Sequence, residues 1–155
     1  MPGYELANGA TRGVTVLDVA GTVEVSGPVT APSGIAGAMI KAGTGTVVYT
    51  YTGYQRLTQN TSAQVAERDI PFDVINGGVS ASDGFYGYTI VDGKVIFDVG
   101  SATNDFGNAL VVGARAVGNP ELELRSGTLR PTDTWFSISR GNTNTATFRM
   151  LGGRL

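Results

Sequence analysis

Apolar and polar residues alternate in short runs along this chain, and the runs are separated by glycine, proline, asparagine and aspartate. That period of two predicts strands buried on one face. The clearest run is Lys94 to Val99, where Val95, Phe97 and Val99 share one face and Lys94, Ile96 and Asp98 the other. It follows Asp92-Gly93, a pair suited to the left-handed conformations of a tight turn, and the expectation is a type I′ hairpin with Thr89 to Val91 as its first arm. Further strands are expected at 14–20, 22–26, 46–52, 63–67, 71–75 and 108–118, and in four closing runs, the last placing Ala146, Phe148 and Met150 on one face. In the first two strands Val14, Val16 and Asp18 share one face, as do Val23 and Val25. Apolar spacing of three and four is sustained nowhere, so helix is expected to be scarce, with a single helical turn as a candidate in residues 33–42.

Turn signals at short intervals favour an all-β fold, with the spacing typical of sandwiches and barrels. Residues 1–42 contain Pro28, Pro32 and many small residues and are expected to form an extended N-terminal arm with short strands and a linker; residues 43–155 form the head.

The composition narrows the chemistry. All 155 residues include no cysteine and no histidine, which removes the thiol nucleophile, the usual general base and the usual zinc ligand. A net charge of -2 argues against nucleic acid as a partner. Charged residues make up 15% of the chain, and the hydroxyl- and glycine-rich surface this leaves suits close packing against other protein. No apolar run is long enough for a membrane span. The opening MPGYELANGATRG lacks the layout of a signal peptide, so use without export is expected.

Candidate sites are few. A serine activated by Lys41 or Lys94, a carboxylate pair drawn from Asp98 and Asp105 or from Glu121 and Glu123, and a calcium loop at Asn104, Asp105 and Asn108 are the options for chemistry. Each has a plainer explanation as a solvated strand face or a turn. No catalytic, cofactor-binding or metal residue is assigned, and an enzyme is not expected. Tyr49, Tyr51, Tyr54, Phe85, Tyr86, Tyr88 and Trp135 suit a core, a subunit interface or a stack on sugars. Arg115, Arg125, Arg130, Arg140 and Arg149 outnumber the lysines, as at protein interfaces.

Three stretches, QNTSAQVAERDIPFDVING, FYGYTIVDGKVIFDV and TWFSISRGNTNTATFRMLGGRL, together resemble the jelly-roll head of the tumour-necrosis-factor and complement-globular superfamily. That resemblance implies an antiparallel β-sandwich of jelly-roll type and a homotrimer that binds or caps. The whole chain also resembles phage capsid decoration (cement) proteins, which implies a structural virion protein on the outer capsid surface with the major capsid protein as partner. The alternative is a fibre-tip or receptor-binding head that uses the FYGY segment on a host glycan.

Overall fold

The computed structural model describes residues 4–5, 12–30, 36–58, 87–107, 109–114, 118–132, 135–140 and 145–155. They form thirteen strands: β1 (Tyr4–Glu5), β2 (Arg12–Asp18), β3 (Thr22–Val25), β4 (Val29–Thr30), β5 (Ala36–Ala42), β6 (Thr46–Tyr49), β7 (Gln55–Thr58), β8 (Tyr88–Ile90), β9 (Lys94–Phe106), β10 (Ala109–Ala114), β11 (Glu121–Pro131), β12 (Trp135–Arg140) and β13 (Thr147–Met150). Consecutive strands lie on different faces, and each pairs in parallel with its equivalent one coil further on. One sheet of five strands runs β2, β5, β8, β10, β12. A second sheet of eight strands stacks β3, β6, β9, β11 and β13 on one face and β1, β4, β7 and the far halves of β9 and β11 on the next. The long strands β9 and β11 serve both faces, with register breaks around Ser126 where they turn the corner. The chain is therefore a β-solenoid.

This replaces the antiparallel jelly-roll sandwich that the resemblance implies and with which the alternation agrees. Period-two alternation states which side chains face inward and says nothing about the direction of the neighbouring strand, so it is equally satisfied by a parallel ladder. The Asp92-Gly93 hairpin is corrected for the same reason: β8 belongs to the five-stranded sheet and β9 to the other, and they do not pair. Asp92-Gly93 is a corner between faces. Asp92 Oδ1 accepts the amides of Gly93 (2.8 Å) and Asn119 (3.1 Å), binding this corner to the one above. Gly93 has φ 66°, and a Cβ there would meet Gly45 O at 2.4 Å. The helical turn expected in 33–42 is corrected over its described part, where Ala36–Ala42 is β5 and pairs along its whole length with β2. Residues 12–30, within the expected arm, build the first rung. The expected strands at 63–67 and 71–75 lie outside the described residues.

Inward side chains stack in columns through the rungs. On one face Val25, Tyr49, Phe97, Leu124 and Met150 lie in register, beside Val23, Val47, Val95, Leu122 and Phe148. On the five-stranded face the columns are Thr15, Met39, Tyr88, Leu110, Phe136 and Leu17, Lys41, Ile90, Val112, Ile138. In β2 the core column thus passes through Thr15 and Leu17, one residue off the face expected from Val14 and Val16. At mid-height the ring of Phe97 stacks on Tyr49 with centroids 4.7 Å apart, and Tyr88 meets Tyr49 edge-on at 6.3 Å. Their hydroxyls satisfy each other at 3.1 Å, which lets two tyrosines lie fully buried. Each such aromatic contributes about 1.5–3 kcal/mol through burial.

Candidate functional site

The two ends of the solenoid differ in degree. In the first rung Val25 and Val29 are fully buried, and Leu17 and Val23 are half-buried. In the fourth, Leu110, Val112, Leu122 and Leu124 are equally buried. The residues stacked on those four in the fifth rung are not: Ile138 is 44% and Met150 50% exposed, and Phe136 and Phe148 are half-buried, edge to face at 5.0 Å. Leu151 and Leu155 add to the same apolar end. β12 and β13 are the last strands of their sheets, so along each the outer row of main-chain groups has no strand partner among the described residues. An end that shows both core side chains and free strand edges is suited to receive other protein.

Around this end the charge is one-sided. Arg140, Arg149 and Arg154 follow Asp133 in the chain and no acidic residue does, whereas the other eight of the eleven basic residues share residues 1–133 with all thirteen acidic ones. Arg149 is half exposed and reaches Glu121 at 3.7 Å. Below it, Lys94 in β9 binds Glu121 at 3.0 Å and Glu123 at 2.6 Å, and Arg125 binds Glu123 at 2.5 Å. Hydrogen bonding from Lys94, then from Arg125, holds the Glu123 carboxyl below the usual range despite burial. Glu121 and Glu123 are thus rungs of an ion-pair ladder, with both carboxylates engaged by cations.

The remaining candidates are placed as follows. Asp98 is exposed and accepts Ser126 Oγ at 2.8 Å. Asp105 lies in β9, where Arg130 grips it through two bonds of 2.7 and 2.8 Å and Tyr54 donates at 2.8 Å. Burial alone would raise its carboxyl; the Arg130 fork and the Tyr54 hydroxyl lower it overall. Asn104 is buried, bonded to Gln55 and to Thr128 O, so its amide is committed within the fold. Among the described residues no acidic group of three or more comes together to hold a metal. Asn108, Phe85, Tyr86 and Arg115 lie outside the described residues. Tyr88 and Tyr49 are core residues and cannot stack on a sugar, whereas Tyr54 is 59% exposed.

Lys41 is the residue whose role the sequence least suggests. It occupies an inward column between Leu17 and Ile90, fully buried, and its ammonium donates to the carbonyls of Ala42 (2.8 Å), Gly43 (2.6 Å) and Asp92 (3.0 Å). All three hydrogens are spent on main-chain turns, so the group staples two corners together. Burial pushes its pKa down from 10.5 to about 8, opposed by Asp92 and Asp18. A groove of about 390 Å³ also runs along one corner, lined by Gly100, Ser101, Ser126, Gly127, Thr128 and Arg154. Its Ser126 hydroxyl is already shared between Asp98 and the Gly100 amide. No family matches this chain, and neither a curated protein nor a solved structure does.

Proposed function

We propose that the chain is a non-catalytic structural module: a short, rigid solenoid that fastens to another protein through its C-terminal end. The observation that carries this reading is the exposure of Ile138 and Met150, inward-column residues of the fifth rung, where the first rung keeps Leu17 and Val23 half-buried. The setting suggested by the sequence is a virion surface, with a major capsid protein as the partner. The trimer expected with a jelly roll loses its basis with that fold, and one solenoid suffices for docking.

The test is co-sedimentation of the full-length chain with shells assembled from the major capsid protein of its virus. The wild type sediments with the shells, and the double variant Ile138→Asp/Met150→Asp stays in the supernatant while its circular dichroism and melting match the wild type. A variant that still sediments with the shells would end the docking reading, and failure of the wild type to sediment would end the virion setting. The hydroxyl-lined corner groove favours one alternative, contact with a host-surface glycan. In that case a glycan array scores for the wild type and for the double variant alike.

A further inference from the structure

Opposite charges face one another across several contacts between neighbouring rungs. Arg56, Asp105 and Arg130 stand in register on consecutive rungs of one face. On the next face Lys94 in the third rung is answered by Glu121 and Glu123 in the fourth, and Glu123 is in register with Arg149 in the fifth. Across these contacts opposite charges lie about one strand spacing, roughly 4.8 Å, apart. Arg149 stands on the last rung with Glu121 and Glu123 below it, and its side chain is 54% exposed. The inward columns are broken off at the same level, with Phe148 half-buried and Met150 50% exposed.

We propose that the partner supplies a sixth rung: an extended segment with apolar and acidic residues in alternation, paired with the free edge of β13. Its apolar side chains cover Phe148 and Met150, and a carboxylate falls beside Arg149. Main-chain bonds to the edge provide binding, while the inward pockets and Arg149 select the sequence. This rests on the end-docking reading above and names the chemistry of its occupant. A second copy presenting the same end would place arginines against arginines, which disfavours a two-fold pairing of these ends.

The probe is an end-blocked, fluorescein-labelled octapeptide of alternating Val and Glu, compared with one of alternating Val and Lys, titrated with the full-length chain and followed by anisotropy. The Glu peptide gives a saturable rise and the Lys peptide binds at least tenfold more weakly. Arg149→Glu reverses that preference, Arg149→Gln abolishes it, and Met150→Asp removes binding of the Glu peptide, each variant keeping the wild-type circular dichroism. Equal binding of the two peptides, saturable binding of neither, or an unchanged preference in Arg149→Glu overturns the proposal. So does a wild-type mass by light scattering that shows a dimer lost in Met150→Asp, because the occupant is then a second copy. If Ile138→Asp/Met150→Asp loses the shells while no peptide binds, end docking stands and strand addition falls.

Discussion

Lys41 makes a quantitative prediction that runs against the usual behaviour of a lysine. Its ammonium is fully buried, and burial lowers its pKa from 10.5 in the unfolded chain to about 8. Between those values the unfolded chain binds more protons than the folded one, so stability rises with pH across that window. Each pH unit contributes up to about 1.4 kcal/mol, and the whole window on the order of 3 kcal/mol. The comparison that isolates it is urea denaturation of the wild type and Lys41→Met, followed by far-UV circular dichroism between pH 7 and 11. Methionine keeps the hydrocarbon stem in its column and removes the titrating group, and the other ionisable groups cancel in the difference. Wild-type stability minus variant stability is expected to climb through the window and level off above it. A flat difference would mean that the group does not titrate there. A falling one would mean that Asp18, Asp92 and the three carbonyls outweigh burial and hold the proton more tightly than water does.

Three further outcomes are expected. Phe97→Ala opens a cavity between Tyr49 and Phe106 and lowers unfolding free energy in urea by about 3–5 kcal/mol; a loss below about 1 kcal/mol would show that the aromatic stack is not well packed. Gly87 has φ 54° and a Cβ would meet Ala109 O at 2.1 Å, so Gly87→Ala lowers the melting temperature by more than about 5 °C, and an unchanged melt would refute the close approach. The Asp105 carboxyl is held low, so its contribution is present above the ordinary carboxylate value and is lost as pH falls through the lower folded one. Stability of the wild type minus that of Asp105→Asn therefore shrinks in acid, and parallel profiles would contradict the Arg130 grip.

Much of the local pattern was legible and the topology was not. Val95, Phe97 and Val99 are fully buried, as their alternation implies. Asp92-Gly93 is a corner and not the expected hairpin, because a glycine with positive φ serves either. The signal that distinguishes them is the repeat: Gly21-Thr-Val, Gly45-Thr-Val and Gly93-Lys-Val open β3, β6 and β9 and stack in register. A recurrence of about 24 to 27 residues marks a repeat architecture. It is hidden by residues 59–86, which double one interval, and by Pro120 and Ala146 where the glycine would stand in the later rungs. The open end was out of reach, since Phe148 and Met150 carry the same apolar pattern as the covered rungs beneath them. Lys41 sits in a run of small and apolar residues, and nothing local says that its charge turns inward to main-chain carbonyls.

The doubled interval has its own consequence. Thr58 ends the second rung and Gly87 precedes the third, yet Met39 still pairs with Tyr88 and Thr46 with Lys94, and Thr58 Oγ1 still accepts the Gly107 amide at 3.1 Å. The ladder keeps its register across this interval, because each rung is held by the rungs above and below it. A scaffold of this kind counts rungs and not residues, so the number of residues between two rungs is free to change while every paired position keeps its neighbour.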